Sequence, residues 1–403
     1  MMGNQRSGKG FVCVHNRSRD NYEVALALEE AELLETLVTD IYCPDWLPGW
    51  LRGPLAKRRR EGLSSSRVQN HLLASIIQYG GALLKRPIEK VFARSDRKLA
   101  SSAAKLARQR RTGLYAYSSY FDGPPELAPG CPIIDFEYHP HPTLALDILA
   151  SDLACYPQVA WSFERELEVA ATESLRESWR FADAVVCASS MTRRTLVQAG
   201  CPEERIAVIP YGSAPPTAAL KPRPEGPCQF LFVGQGVQRK GLHHLAEAWR
   251  IAALDNCQLT VVSYLIDPGI AGMLDLPGIR LLGHQSRASL DALFASADSF
   301  VMPSLVEGFG LVYLEALAAG CHVLGTENTG LPDMNLSQDA VTIVPIGKPE
   351  VLAAALAAIA QRKLSRKLDP SAIRAEAAHW GWSDFRHAIA AHAAQVYRQN
   401  TQA

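Results

Sequence analysis

VMPSLVEGFGLVYLEALAAGCHVLGTENTGLPDM, Val301 to Met334, is the stretch on which the fold turns. An apolar, strand-like run (Ser299, Phe300, Val301, Met302) stops at Pro303. A polar turn follows, then Glu307-Gly308-Phe309-Gly310, then a segment with helical apolar spacing. Glu307 lies in the turn, and Glu315 lies eight positions on, in about the second helical turn. Gly308 and Gly310 carry no Cβ, so backbone can approach a ligand there. The free N–H groups of a helix start and the positive end of its dipole suit a diphosphate. A carboxylate on each side of such a site is not there to bind phosphate. Carboxylates accept hydrogen bonds from hydroxyls, which a sugar and a ribose both supply. The stretch predicts a nucleotide-sugar pocket at the carboxyl end of a strand.

Working outward, strands and helices alternate on both sides. Strands are predicted at Phe230–Val233, Gln258–Ser263, Ile279–Leu282 and Val323–Gly325, with helices over Leu242–Leu254 and around Leu290–Ser296. Upstream, strands are predicted at Gly10–His15, Leu37–Tyr42, Gly113–Tyr117, Cys131–Phe136, Ala184–Ala188 and Ile206–Ile209. Helical spacing covers Tyr22–Leu37, the basic region after residue 52, a broken run from Pro142 to Phe181, and Thr192–Ala199. Such alternation implies parallel sheets. Ser213 to Pro227 holds Pro215, Pro216, Pro222, Pro224 and Pro227 and reads as a linker. The expected fold is therefore α/β, with two doubly wound, Rossmann-like parallel-sheet domains facing a cleft. The first is residues 1–213, the second 214–383, and a final helix of about 384–403 begins near Trp382.

Composition sets outer limits. A chain of 403 residues is too long for one ordinary core. Its 48% hydrophobic and 20% charged residues are those of a soluble globular protein. Nine scattered cysteines form no Cys-x-x-Cys pair, which argues against zinc and a disulfide framework and suits a reducing cytoplasm. The polar N-terminus reads as no signal peptide. The longest apolar patch, Leu72 to Leu84, is too short to span a bilayer. Net charge is zero, yet Arg52 to Arg111 holds about 16 Lys and Arg against about three acidic residues. Lys57-Arg58-Arg59-Arg60 is its densest part. This asymmetry fits an anionic membrane surface, where each nearby basic residue contributes roughly 1 kcal/mol. No nucleic-acid reader motif accompanies the charge.

Three further segments carry chemistry. Phe232-Val233-Gly234-Gln235 leads to Arg239-Lys240-Gly241, a glycine-bearing loop between strand and helix and so a second anion site. Asp135 to Pro142 ends a strand of the first domain and offers His139 and His141 to the cleft; residue pattern alone does not choose between them. His-x-His without a third ligand is a weak metal signature, and no metal is expected. Gly3 to Gly10, GNQRSGKG, imitates a phosphate loop but precedes its strand, and Gly10 stands where Ser or Thr would hold magnesium.

Two glutamates flanking Gly-Phe-Gly, followed by Glu315-Ala316 and Ala318-Ala319-Gly320, resemble the donor-site signature of family-four retaining glycosyltransferases of the GT-B fold. The resemblance runs with gaps from about Phe181 to the C-terminus and includes Asn328-Thr329-Gly330. It implies transfer of a hexosyl-type group from a nucleoside diphosphate sugar to a hydroxyl, with retention, in bacterial-type polysaccharide or glycoconjugate assembly. Front-face substitution needs no carboxylate pair at glycosidase spacing. The resemblance implies catalytic roles for Glu307, Arg239, Lys240 and one of His139 and His141. It implies donor binding by Gly234, Gln235, Arg239, Lys240, His284, Gly308, Phe309, Gly310, Leu311 and Glu315, with neither metal nor cofactor. The backbone around His284 would read the nucleobase. Partners would be the nucleotide sugar, a glycan, lipid-linked or small-molecule acceptor, and the inner face of the cell membrane from a cytoplasmic, peripheral position.

Departures from the family pattern matter. Gln235 stands where most members have Arg, so Arg239 would supply the charge from the next turn. The loop His15 to Asn21 lacks the paired glycines of many members and leaves Asn16 and Arg17 as acceptor-side candidates. Ser189 opens a helix at the family's Ser, and Tyr211-Gly212 resembles its hinge-side turn. Two alternatives share the same cleft: a GT-B-fold epimerase or phosphorylase, and a sugar-nucleotide-binding subunit without turnover. No motif for a pyridoxal phosphate lysine is present.

Overall fold

The computed structural model describes residues 10–83, 88–118, 120–121, 123–173, 177–214, 220, 223 and 225–401. Two parallel sheets dominate it. The first contains β1 (Phe11–Val14), β2 (Leu34–Thr39), β3 (Val68–Asn70), β4 (Gly113–Tyr117), β5 (Ile133–Glu137), β6 (Ala184–Cys187) and β7 (Ile206–Val208), in the order β3-β2-β1-β4-β5-β6-β7. The second contains β8 (Cys228–Val233), β9 (Cys257–Val262), β10 (Ile279–Leu282), β11 (Ser299–Val301), β12 (His322–Thr326) and β13 (Val341–Val344), in the order β10-β9-β8-β11-β12-β13. Strands β1, β4 and β12 are buried along their whole length, because helices cover both faces. That is the α/β, doubly wound pair of domains expected from the alternation.

The helices are α1 (Glu23–Glu30), α2 (Leu72–Leu83), α3 (Ile88–Arg110), α4 (Pro142–Cys155), α5 (Ala160–Glu173), α6 (Ser190–Gln198), α7 (Leu242–Ala252), α8 (Pro268–Ala271), α9 (Arg287–Ser296), α10 (Leu311–Ala318), α11 (Pro349–Leu364), α12 (Pro370–Ala377) and α13 (Trp382–Thr401). Helix α13 lies on the first domain. Its Phe385, Ile389, Ala393 and Val396 are buried, and Tyr397 meets Phe11 of β1 edge-on at 5.8 Å. Arg386 reaches Glu23 and Glu30 of α1 at 2.8 Å each. Helix α1 consequently buries Val24 through Leu28 without a break, having the sheet on one side and α13 on the other. Full burial of side chains such as Phe385, Ile389 and Val396 is worth roughly 1.5–3 kcal/mol each.

Strand order reverses direction between β1 and β4 in the first sheet and between β8 and β11 in the second. Such reversals open a crevice at the carboxyl ends of the strands.

Local departures have local reasons. Helix α1 stops at Glu30, not Leu37, and β2 starts at Leu34. The sequence LEEAELLETL keeps a helical period through the stop, and Glu32 turns the chain with φ of 57°. The basic region does not begin as helix: Gly49–Leu51 and Gly53–Arg58 are 3-10 turns, and β3 precedes α2. Strand β13 was not expected after the polar Ser337-Gln338-Asp339. Gly3 to Gly10, Gly10 apart, and Pro215, Pro216, Pro222 and Pro224 of the linker lie outside the described residues.

Candidate functional site

The reversal between β8 and β11 brings two loops together. Gly241 ends the first loop at φ +69°, and a Cβ there would lie 1.9 Å from the Pro303 carbonyl oxygen. The Leu305 N–H donates to the Arg239 carbonyl at 2.9 Å. These contacts seat Arg239 and Lys240 beside Glu307. The buried Glu307 carboxylate pairs with the Lys240 ammonium, and Arg239 Nη1 is 3.3 Å from the same oxygen. Its backbone N–H donates to the Asn328 carbonyl at 3.0 Å. Burial alone would raise the Glu307 pKa; Lys240 and then Arg239 outweigh it and hold the carboxyl at about 2. Burial lowers the Lys240 pKa, against the pull of Glu307.

Gly308 and Gly310 serve packing within the protein. A Cβ on Gly308 would come within 2.3 Å of the Tyr138 carbonyl oxygen from the other domain. Gly310, at φ +90°, caps α10, and its Cβ would strike the Tyr313 ring at 2.5 Å. Open space lies instead at Gly283, with no atom within 4 Å of its Cβ position, while a Cβ on Gly234 would make ordinary contact with the Phe232 ring at 3.7 Å. Phe309 is buried edge-on against Tyr211 at 5.6 Å, and Leu311 is half-buried. The Gln235 amide donates to the exposed Tyr264 hydroxyl.

Glu315 sits in the second turn of α10, where Arg287 Nη1 meets its carboxylate at 2.9 Å. Arg287 opens α9, three residues after the exposed His284. Glu315 and the His284 loop thereby share one flank of the crevice.

From the first domain, the structure brings His139 to this cluster and leaves His141 apart. His139 is exposed at the cleft, with Arg239, Arg19 and Lys240 close enough to act on it electrostatically. Desolvation, Arg239 and Arg19 lower its pKa well below the usual value, so the imidazole is neutral. The Arg19 guanidinium lies 3.9 Å over the Tyr138 ring beside it. His141 instead caps α4, and its Nε2 lies 3.3 Å from Glu177. A cavity of about 210 Å³ remains between His139, Glu166, Arg239 and Val306.

The acceptor-side candidates are tied into the first domain. The Asn16 side chain donates to Asp96 at 2.7 Å and accepts from Gln78 at 2.8 Å. The Arg17 guanidinium lies 4.3 Å over the Phe92 ring. This loop lacks glycine, yet Arg17, Asp20, Asn21 and Tyr22 all have positive φ, between 44° and 64°. Asp20 anchors it by accepting from the Tyr117 and Tyr211 hydroxyls at 2.9 Å each. Ser189 caps α6 and donates across the domains to the Gly308 carbonyl. The neighbouring Ser190 N–H and Arg194 reach Asp333 and Asn328 at 2.9 and 2.7 Å.

One group with metal-ligand chemistry occurs among the described residues: Asp152, His243 and His244, all buried. His243 Nε2 and His244 Nε2 lie 3.0 and 2.6 Å from the two Asp152 oxygens, and Gln238 Nε2 donates to the same carboxylate at 2.9 Å. Both Nδ1 atoms are buried without a partner. Metal-bound histidines ordinarily donate their second nitrogen to an acceptor. This geometry instead fits two imidazoles donating through Nε2 to a carboxylate that those bonds hold well below its usual pKa, against the effect of burial. It is a clamp between α4 and α7. Neither the adjacent His243 and His244 nor Asp152, 91 residues earlier, stood out in the sequence. Glu166, 3.3 Å from Arg239, and Arg287 were likewise missed, since isolated charges on helical faces look alike.

Comparison with known proteins agrees with this geometry. Residues 227–362 match the family described as Glycosyl transferases group 1. The amylovoran biosynthesis glycosyltransferase AmsK of Erwinia amylovora is 29% identical over 189 residues, 43% of this chain and 46% of AmsK. The chain spans about half the length of the curated relatives it matches. Sucrose-phosphate synthase from Thermosynechococcus elongatus superposes with a TM-score of 0.61 at 20% identity, covering 97% of this chain and 98% of that one. Anabaena HepE, solved with UDP-glucose, gives 0.59 at 16% identity, covering 96% and 99%. The two-sheet frame is the GT-B arrangement.

Proposed function

We propose that this chain is a retaining hexosyl-type glycosyltransferase, moving a sugar from a nucleoside diphosphate sugar to an acceptor hydroxyl in polysaccharide or glycoconjugate assembly. The observation that carries this reading is the cluster of Glu307, Lys240 and Arg239 at the strand-order reversal of the second sheet. A sugar diphosphate calls for cations at one end and hydroxyl acceptors beside them, and both stand here within one hydrogen-bonded group.

Each residue then has a role. Arg239 and Lys240 meet the diphosphate. Negative charge grows there as the glycosidic bond breaks, so the cations favour the transition state over the ground state. Ionised Glu307 accepts hydroxyls of the donor sugar, and neutral His139 faces the same sugar from the first domain. Glu315, oriented by Arg287, takes the ribose, and the backbone near His284 takes the base. The departing diphosphate oxygen receives the acceptor proton while the new bond forms on the face the old bond leaves. The scheme uses no metal and no cofactor; Arg239, Lys240 and the start of α10 supply the positive field. HepE, which shares the fold, binds UDP-glucose, and this supports a uridine donor as the first to try. The reaction is proposed to occur in the cytoplasm, at the inner face of the membrane.

Thermal-shift screening of nucleotide sugars, followed by turnover with glycan and lipid-linked acceptors, tests the reading. NMR of the product anomer should show retention. An inverted anomer overturns the stereochemistry, and turnover with water alone under every acceptor overturns the transferase reading.

A further inference from the structure

Helix α2 is inside out over residues 72–78, the part whose side chains are described. There Ala74, Ser75 and Gln78 are buried, whereas Leu72, Leu73 and Ile76 are 65%, 50% and 64% exposed. A helix that packs its apolar stripe inward has the opposite arrangement. At the same corner of the first sheet, Trp46 and Trp50 are 78% and 84% exposed. The two segments leave adjacent strands together: the Tyr42 N–H donates to Asn70 at 2.7 Å, Asp45 N–H to Ser65 at 3.1 Å, and His71 N–H to the Thr39 carbonyl at 2.8 Å. Large apolar side chains gathered at one corner of a soluble domain mark a contact surface.

The charge around them narrows the partner. Of the run Lys57 to Arg60, Arg58 pairs with Asp40, Arg59 with Asp45 and Arg60 with Glu23, so the run is mostly neutralised within the protein. Cations remain elsewhere on this corner. Lys57 follows the turn that bears Trp50, and Arg94, Lys98 and Lys105 repeat along one stripe of α3, which packs on α2. All four are exposed, and no ion pair involves them among the described residues. Exposed tryptophans with aliphatic neighbours and a ring of unpaired cations complement a bilayer interface, where indole sits at headgroup depth and anionic lipid meets the basic residues.

We infer that Trp46, Trp50, Leu72, Leu73 and Ile76 form a membrane-docking surface that inserts shallowly into anionic lipid. Apolar contact carries the binding, with Lys57 and the α3 stripe assisting. The inner face of α2 adjoins the cleft-side loop, since Gln78 bonds Asn16 at 2.8 Å. Docking therefore leaves that loop about one helix diameter, roughly 10 Å, from the lipid. This deepens the transferase reading by naming where a lipid-borne acceptor would be presented. Vesicle binding does not depend on turnover, so the two readings fail separately.

The test is co-sedimentation of the full chain with phosphatidylcholine vesicles, with and without phosphatidylglycerol. Binding should be strengthened by phosphatidylglycerol, weaken in high salt and survive in part. Trp46→Ser with Trp50→Ser, and separately Leu72→Ser with Ile76→Ser, should each lower it by about tenfold, as expected from one such side chain left in water. Nucleoside diphosphate affinity should stay unchanged in both variants, which shows that they fold. Wild-type protein that does not pellet with phosphatidylglycerol, variants that pellet equally, or binding abolished by salt overturns the inference. A dimer in light scattering that the tryptophan variant breaks also overturns it, because the face then serves a second copy.

Discussion

Lys240 and Glu307 are paired at the mouth of α7, and Arg239 stands 3.3 Å from the same carboxylate oxygen. Before any donor arrives, one carboxylate engages both cations that a diphosphate would need. Glu307→Ala should therefore separate binding from chemistry. Nucleoside diphosphate should bind at least as tightly, because two cations are released. Transfer should slow by at least about tenfold, equivalent to about 1.4 kcal/mol of barrier. Calorimetry and turnover together check this, and full activity in the variant removes Glu307 from the proposed site.

Arg239→Ala and Lys240→Ala should each weaken nucleoside diphosphate while leaving the free nucleoside nearly unaffected. Charge-assisted bonds are worth about 1.5–3 kcal/mol, so losses of roughly tenfold to a hundredfold are expected. Equal losses for nucleoside and diphosphate would show that these side chains do not act on phosphate.

Gly308→Ala should hold the domains apart, since its Cβ would sit 2.3 Å from the Tyr138 carbonyl oxygen. Activity should drop and the scattering radius increase, with the second domain still folded. Gly272→Ala is the control, having nothing within 4 Å of its added Cβ. Similar behaviour of the two variants contradicts the close contact.

Asp152→Asn should loosen the clamp between α4 and α7. Asn offers one acceptor oxygen where three N–H donors converge, leaving buried groups unpaired at a cost of about 1–3 kcal/mol. Urea unfolding should register that loss. A variant as stable as wild type would mean that the imidazoles find other partners.

Two fully buried histidines predict how stability varies with pH. Burial lowers His322 and His15 to about 3 from an ordinary 6.5. The unfolded chain binds these protons below about 6.5 and the folded protein does not. The stabilisation is thus complete above about 6.5 and is lost as pH falls toward 3, by about 1.4 kcal/mol per pH unit for each group. Urea midpoints between neutral pH and pH 5 should decline accordingly, and His322→Gln should flatten part of the slope. An unchanged slope rules out that assignment for His322.

What the sequence disclosed was contiguous. Ser299 to Gly310 reads as strand, turn and helix start because each local preference agrees, and the double winding follows from repeating that unit. Contacts between distant segments left no trace: Asp152 with the paired histidines, Glu166 with Arg239, and the choice of His139 over His141, which rests on His141 capping α4. The backbone of the loop after β1 was not legible either: it lacks the paired glycines of many members, yet Asp20, Asn21 and Tyr22 adopt left-handed backbone, with Asp20 held by two tyrosines. The run Lys57 to Arg60 reads as a free basic face in sequence, and only its acidic partners, up to 37 residues away, show otherwise.

Helix α13 also sets an order of events during synthesis. Ribosomes lengthen chains at about 5–20 residues per second, and domains tend to fold as they emerge. Here the first sheet is translated early, but the outer face of α1 and the edge of Phe11 wait for Phe385, Ile389 and Tyr397. The second domain, all of whose strands lie between residues 228 and 344, can complete its sheet first. The amino-terminal half is thus the later of the two to close its core, and nascent chains stopped short of residue 385 should expose α1 to protease while the second domain resists.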